Sequence, residues 1–525
     1  MLTGSSGKLG KALLPELKKN YEVLHPSKAD FDITKEQDVD EYFKKNSIGF
    51  VVHTAAMARM SECEKDPDNA LALQLTGVIA GQLEQLDLSI ALLSKAIEIN
   101  PKCAEAFNNR GLVLKKSNLF ERALSDLDQA ILLNPLYVEA LNNRGIVHRE
   151  LGAYKQAHLD FTKAIQLKSD FVEAYNNRAG LYLSQKLYQK ALDDINKALA
   201  INSMDPTSNW NKSLHSLALE NFRDGWELYE WRWKNLSNIG RPLHTSKPKW
   251  SGEKNKRVLI WAEQGIGEEI MISSILFDAI EVCEMLVVKC DKRLIPIFKR
   301  SFPSSIIFKD KNHPVDESSY DFHLPMMSLP KLFRNTKKSF TNTKHPYLHC
   351  DAQKVKAIRA EILKGQSVKL VGLSWHTDSK IYESKKRNVN LIDLVKLFSG
   401  TDTTLVSLQY GDMASIIDFV EKNTGQEIIQ YNKIDNKNDI DSLFALILAC
   451  DQVITIDNAT AHFSGALGVE THVLLPTTAD WRWGISSNKS YWYNSLTLHR
   501  QDQAGNWKAA LKSLADKIKN KRPRI

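Results

Sequence analysis

The tripeptide Asn-Asn-Arg occurs at 108–110, again at 142–144 and again at 176–178, each 34 residues after the last. Ala96, Ala130, Ala164 and Ala198 keep the same interval, each followed by Ile or Leu. Gly77, Gly111 and Gly145 form a third series, with Ala179 in the fourth place, and Pro101 and Pro135 close two of the units. Between these markers the apolar residues recur three and four apart, as at Ala123, Leu127, Ala130 and Ile131, which marks one face of an α-helix. A period of this length is too long for one helix and too short for a domain. It requires helix–turn–helix units that stack, because no single unit can bury its own apolar face. Four units fit between 70 and 203, and a degenerate fifth ends in WELYEWRW at 226–233.

This pattern resembles tetratricopeptide repeats. The resemblance implies that the Gly and Ala positions lie where paired helices approach, that the prolines lie in turns, and that a concave groove is open to a peptide or another domain. Asn108, Asn109, Asn142, Asn143, Asn176 and Asn177 are candidates to line that groove, since side-chain amides can hydrogen-bond an extended backbone. The alternative is a solvated polar face that keeps the solenoid soluble. Trp226, Tyr229, Trp231 and Trp233 read as a cap that packs the array onto the next domain rather than as a ligand platform.

A chain of 525 residues exceeds one core. The polar stretch 236–256 reads as a linker, and beyond it the periodicity changes. A strand at 257–262, a loop at 263–267 and a helix from about Glu268 are followed by the short strands MLVVKC, SIIFKD and YDFHLPM. A second series holds VKLVGLSW, TLVSLQYG, EIIQY and QVITID, with helices near 390–399, 412–422, 439–450 and 506–519. Two such series predict two Rossmann-like lobes, 257–350 and 351–525, with a cleft between them. The expected fold is multidomain: a truncated fragment at 1–69, an α-solenoid at 70–235, the linker, then the α/β lobes.

The N-terminus carries T-G-x-x-G-x-x-G at Thr3, Gly4, Gly7 and Gly10, then DFDIT at 30–34 and VVHTAA at 51–56. These segments resemble the first half of an extended short-chain dehydrogenase/reductase of the kind that reduces dTDP-4-dehydrorhamnose. In that family the glycine turn holds the NAD(P) pyrophosphate, and the segments matching Asp32–Ile33 and 54–56 lie near the cofactor. Only Met1 and Leu2 precede the turn, and the family's Tyr-x-x-x-Lys pair does not arrive before the first repeat. Residues 1–69 are expected to be a fusion remnant or packing appendage, with no NAD(P) binding and no reductase activity.

In the C-terminal part, EQGIGE, GLSW, SLQYG, DNATAHFSGALG, LLPTTADWRWG and YWYNSLTLHRQ follow one another in that order. They resemble glycosyltransferase family 9, the heptosyltransferase-like GT-B group, in its form fused to tetratricopeptide repeats. The resemblance covers about 210–520 and implies an inverting, metal-independent transfer from a nucleotide-sugar donor held mainly by the C-terminal lobe. The Asp457, Asn458, Thr460 and His462 cluster falls at a strand end and helix start, where free N–H groups favour a diphosphate. His462 is a candidate donor to a phosphate oxygen, or else a helix-face hydrogen bond steadying the turn. Asp457 is expected to cap the helix or bind a sugar hydroxyl, and Gly465 and Gly468 to permit close packing and helix termination.

Glu268 is the candidate base, where the family commonly has Asp; Glu263 and Glu269 are alternatives, and an acid favoured by the helix dipole is the plainer reading. Gly265 and Gly267 keep the loop open to backbone contact. Arg387 and Lys386, with Lys380 and Lys385, follow the GLSW strand and are candidates to neutralise the leaving diphosphate. Trp481 and Trp483 either close over the base or sugar or pack in the core.

The net charge of +8 is mild, and no basic-aromatic motif accompanies its short lysine and arginine runs, so no nucleic-acid partner is expected. Six scattered cysteines without CxxC spacing point to a reduced, cytoplasmic protein without structural disulfides or zinc, and the glycosyltransferase resemblance implies no metal and no required cofactor. The sequence lacks an apolar run long enough to span a bilayer, so membrane contact, if any, would be peripheral. The leading expectation is a glycosyltransferase whose repeats recruit a protein or glycan acceptor. The rivals are a scaffold with an idle GT-B domain and, last, an NAD(P)-dependent reductase.

Overall fold

The computed structural model describes residues 2–3, 52–53, 67–235, 242–377 and 386–519. It divides into two compact units, Met1–Leu181 and Tyr182–Ile525. In the first, strands β1 (Leu2–Thr3) and β2 (Val52–His53) pair in parallel. The glycine turn at Gly4, Gly7 and Gly10, the segments 30–34 and 54–56, and Lys380 and Lys385 lie outside the described residues.

The 34-residue markers become helical hairpins: α1 (Pro67–Gln82) with α2 (Leu86–Ile99), α3 (Ala104–Lys116) with α4 (Phe120–Leu133), and α5 (Val138–Glu150) with α6 (Tyr154–Leu167). Small residues sit at the crossings. A Cβ added to Gly77, Gly111 or Gly145 would come within 2.8, 2.9 and 2.7 Å of Leu93, Leu127 and Phe161. Ala96, Ala130 and Ala164 are fully buried, and Pro101 and Pro135 lie in the connections between hairpins. Each hairpin turn needs one left-handed residue, supplied in register by Glu84, Asn118 and Gly152, then by Lys186 and Glu220 further on. The turn geometry therefore persists where the sequence markers fade.

Helix α7 (Val172–Ser184) runs across the division between the units. The second unit opens with α8 (Tyr188–Ile201), α9 (Pro206–Ala218), α10 (Phe222–Tyr229) and a short 3-10 turn, Glu230–Trp233. These helices are part of the α/β body. Trp226 is 1% exposed, donates to the Arg334 carbonyl at 2.9 Å and meets Trp481 edge-on at 5.2 Å. Tyr229 is equally buried, and Trp233 packs on Trp261 at 5.5 Å. Trp231 instead lies under the Lys234 ammonium.

The α/β part holds two wholly parallel sheets. Strands β3 (Arg257–Trp261), β4 (Met285–Cys290), β5 (Ile306–Asp310) and β6 (Phe322–Pro325) are ordered β5-β4-β3-β6. Strands β7 (Lys369–Ser374), β8 (Thr403–Ser407), β9 (Ile428–Ile429), β10 (Gln452–Ile456), β11 (Thr471–Leu475) and β12 (Leu496–Arg500) are ordered β12-β11-β10-β7-β8-β9. The inner strands β3 and β10, buried on both faces, read as the continuous apolar runs VLIW and VITI.

Order decides where a site can form. In the first sheet the chain moves outward from β3 to β5 and returns to the other side of β3 as β6. In the second it moves from β7 to β9 and returns beside β7 as β10. Each reversal opens a crevice at the carboxyl ends of the strands, where ligands bind in open α/β sheets. Among the described residues no helix is long and apolar enough to cross a membrane.

Candidate functional site

The crevice between β7 and β10 is closed by a polar network from three strand ends. Helix α11 (Ala459–Ala466) starts directly after β10, with Asn458 as its N-cap. Asn458 Oδ1 accepts from Thr460 N–H at 3.0 Å and from the Thr455 hydroxyl at 2.9 Å, while its Nδ2 donates to Ser374 Oγ at 2.9 Å. The Thr460 hydroxyl turns inward and donates to the same Ser374 oxygen at 3.3 Å. Ser374 in turn donates to Gln409 Oε1, which also accepts from the Trp375 and His376 amides at 3.2 and 3.1 Å. Ser374 and Gln409 belong to GLSW and SLQYG, the strand-end motifs, yet spacing alone gave them no role.

Asp457 does not cap the helix; that place belongs to Asn458. Its carboxylate accepts from the Trp483 indole N–H at 2.8 Å and faces Arg387 at 3.5 Å. Arg387 also donates to the Asp457 carbonyl at 2.9 Å, tying the loop after β7 to the turn after β10. Lys386 is exposed beside it. His462 is buried, pairs through Nδ1 with the Tyr493 hydroxyl at 2.9 Å and stacks on Trp483 at 5.2 Å. Burial, reinforced by the Arg482 charge, pushes its imidazole well below the usual range, so it is neutral at physiological pH. Trp483 and Trp481 are core residues, 0% and 8% exposed. Gly465 permits close packing, since a Cβ there would strike the Tyr493 ring at 2.5 Å, and Gly468 lies at φ 74° past the helix end.

Opposite this turn is the loop after β3. The helix Ile266–Ser273 begins before the expected start, so Glu268 lies inside its first turn. Gly267 faces α11: a Cβ there would lie 3.0 Å from His462 Cδ2. Glu268 Oε1 accepts from Arg482 Nη2 at 2.8 Å, and Arg482 Nη1 holds Asp480 Oδ2 at 2.9 Å. Glu268 Oε2 passes 2.9 Å from where a Cβ on Gly265 would be, so the glycine leaves that oxygen clear on this side. Arg482 is the residue sequence reasoning missed. It sits between two tryptophans in a loop distant in sequence, and only its contacts reveal it.

The two alternative acids are occupied within the fold. Glu269 is 1% exposed and accepts from Lys311 Nζ at 2.8 Å and from the Asp291 amide at 2.7 Å. Glu263, with a side chain 1% exposed, accepts from Arg232 Nη2 at 3.0 Å. Burial pushes the Glu263 carboxyl up to about 7, against the pull of Arg232 and the Met327 amide. At Glu230 burial also pushes upward, but Arg232 and the Ser328 hydroxyl outweigh it and hold that carboxyl below its ordinary range.

A pH dependence follows. Folded Glu263 keeps its proton to about pH 7, whereas unfolded it releases it near 4.5. Its contribution to stability is complete below the unfolded value and is lost as pH rises through the folded one. Relative to Glu263→Gln, the parent is expected to lose about 3 kcal/mol between those limits, read from urea unfolding at several pH values. Parallel profiles for the two proteins would contradict it.

In the repeat array, the first asparagines of the tripeptides, Asn108, Asn142 and Asn176, are buried at 4–7% exposure. The second ones bridge repeats: Asn143 Nδ2 donates to Asn108 Oδ1 at 2.8 Å and Asn177 Nδ2 to Asn142 Oδ1 at 2.9 Å. Asn109 is half-buried and accepts weakly from Asn108 at 3.4 Å. The arginines pair within their own hairpins, Arg110 with Asp126 at 2.7 Å and Arg144 with Asp160 at 2.6 Å. The asparagines thus form a ladder along the array, and the plain solvated face is set aside for the buried ones.

Residues 108–170 and 172–205 match the Tetratricopeptide repeat family. The helical hairpins are tetratricopeptide repeats. Arrays of this kind serve protein interaction. Residues 1–91 match the RmlD substrate binding domain, a match that runs past residue 70 into α1 and α2. Protein FlbA of Caulobacter vibrioides (strain ATCC 19089 / CIP 103742 / CB 15) is 28% identical over 323 residues, 58% of this chain and 53% of its own length. The chain therefore spans about half the length of that curated relative. Among solved structures, MamA is 24% identical, covering 33% of this chain and 96% of its own, at a TM-score of 0.27. The first repeat domain of Spaghetti (RPAP3) bound to HSP90 peptide SRMEEVD is 26% identical, covering 24% and 97%, at a TM-score of 0.23.

Proposed function

We propose that this chain is a glycosyltransferase of the two-lobed GT-B kind, inverting and metal-independent. It moves a sugar from a nucleotide sugar to a hydroxyl on a protein or glycan acceptor recruited by its repeats. The observation that carries this reading is the Glu268–Arg482 contact at 2.8 Å, which joins an acid at the reversal point of one sheet to the loop beyond β11 of the other. Two sheets with facing crevices and a carboxylate between them suit a transfer in which donor and acceptor enter from opposite sides.

In that transfer the acceptor oxygen attacks the anomeric carbon and its proton passes to Glu268 Oε2, the oxygen left clear by Gly265. The bond from the anomeric carbon to the diphosphate breaks, and the nucleoside diphosphate leaves with the electron pair. Arg387, which reaches from the loop after β7 to the turn after β10, offsets its charge together with its neighbour Lys386. His462, being neutral, positions the turn through Tyr493 and Trp483. The nucleoside occupies a polar cavity of about 270 Å³ beyond β8 and β9, lined by Gln409, Tyr410, Met413 and Asn436. Asn436 Oδ1 is buried there without a hydrogen-bond partner.

One observation favours the scaffold instead. The Thr460 amide and hydroxyl, the Ala461 amide and the Asp457 carboxylate are all engaged internally, so the turn has few groups left for a diphosphate. A thermal-unfolding screen with nucleoside diphosphates separates the two. A ligand present at 100 times its Kd is expected to add about 2.7 kcal/mol and raise Tm. No shift with any nucleotide would leave the scaffold standing.

A further inference from the structure

A second cavity, of about 210 Å³, lies within the second unit at the carboxyl ends of β11 and β12, the side of a parallel sheet on which ligands bind. Arg500, the last residue of β12, lines it with Tyr188, the first of α8, and with Thr477 and Thr478 of the loop after β11. Arg500 is half-buried. Its Nη2 donates to the Trp483 carbonyl at 2.6 Å and to the Ser487 carbonyl at 3.1 Å, and its Nε donates to Ser487 at 3.3 Å. Those bonds hold one edge of the guanidinium plane. Among the described residues Nη1, on the other edge, has no acceptor, and no carboxylate pairs with the group.

That is unlike the deeper arginines of the same unit. Arg232, Arg334 and Arg482 meet Glu263, Asp278 and Glu268 at 3.0, 2.8 and 2.8 Å, as charges drawn out of water ordinarily do. Arg500 meets only neutral carbonyls. Burial pulls its guanidinium below the ordinary value without an acid to offset it, and it stays charged at neutral pH. The hydroxyls of Tyr188, Thr477 and Thr478 also have no hydrogen-bond partner among the described residues. Asp480, the acid in the wall, is committed to Arg482, accepting from Nη1 at 2.9 Å and from the amide at 3.2 Å. Donors from three separate stretches of chain thus line one cavity, and Leu214, Ala218 and Ile485 supply carbon beside them.

One unpaired cation calls for one negative charge. A dianionic phosphate would set its second charge against Asp480, whereas a carboxylate would not. We infer that this cavity binds a carboxylate borne on a small apolar body, its oxygens accepting from Arg500 Nη1 and from the Thr477 and Tyr188 hydroxyls. The carboxylate belongs either to a free acid or to the C-terminus of a polypeptide.

The test is calorimetric titration of the full chain with 4-methylpentanoate, its neutral amide, N-acetylleucine and inorganic phosphate. An acid is expected to bind saturably at one site, and 4-methylpentanoate about tenfold or more tighter than the amide of the same shape. In Arg500→Gln the acid and the amide are expected to bind alike. Thr477→Val, which leaves the carbonyl contacts of Arg500 in place, is expected to weaken the acid about threefold and serves if Arg500→Gln does not fold. Tighter binding of N-acetylleucine identifies a polypeptide terminus, and tighter binding of 4-methylpentanoate a free acid. No saturable binding of either acid by the parent protein, equal affinity for acid and amide, or tighter binding of phosphate than of both acids overturns the inference. None of these outcomes depends on sugar transfer.

Discussion

Glu268→Gln is expected to lower transfer from a nucleotide sugar by about 100- to 10,000-fold, the range a positioned general base contributes. The amide keeps the size of the side chain and an oxygen for Arg482, so the 2.8 Å contact across the cleft is largely retained. What is lost is a carboxylate able to take the acceptor proton. The measurement is release of nucleoside diphosphate with a panel of nucleotide sugars, read beside the melting temperature of each protein. A drop in rate with an unchanged melting temperature supports the base. Equal rates would remove Glu268 from that role and leave the transferase reading to other residues.

Arg232→Ala is expected to destabilise the second unit by about 3–5 kcal/mol, as removal of one partner from a buried ion pair does. The guanidinium is fully buried and holds Glu263 at 3.0 Å, Glu230 at 2.7 Å and the Ser328 hydroxyl at 2.8 Å, while lying over the Tyr229 and Trp233 rings. Its loss leaves Glu263 in the interior with little to offset a charge. Urea unfolding followed by tryptophan fluorescence is the readout. The deficit is expected to be greatest above about pH 7, where Glu263 ionises, and smaller in mild acid, where it is protonated. The double variant Arg232→Met with Glu263→Gln is expected to recover much of the loss, since neither charge is then stranded. A deficit independent of pH, or one the double variant does not relieve, would contradict the pairing.

Much of the architecture was legible before any coordinates. The resemblance to tetratricopeptide repeats put Gly111 and Gly145 where paired helices approach, and the structure supplies Leu127 and Phe161 as the neighbours that leave no room for a Cβ. Apolar runs located the buried parallel strands for the same kind of reason: the pattern reports which faces are covered. The site was less legible. Asp457, expected at the cap, gives way to Asn458, and the Thr460 hydroxyl points into the network rather than outward. Both outcomes depend on Ser374, a residue from a different strand.

The sequence by itself determined the period, the elements and the apolar faces, since these follow from short-range geometry and from which side chains leave water. Only the tertiary structure decided that β10 lies beside β7, bringing Asn458 to Ser374 and Arg387 to Asp457. It also decided that a loop more than two hundred residues downstream carries Arg482 to Glu268. Such pairings join chain segments with no local pattern in common. They are selected by the strand order that buries both sheets, and no interval along the chain encodes them.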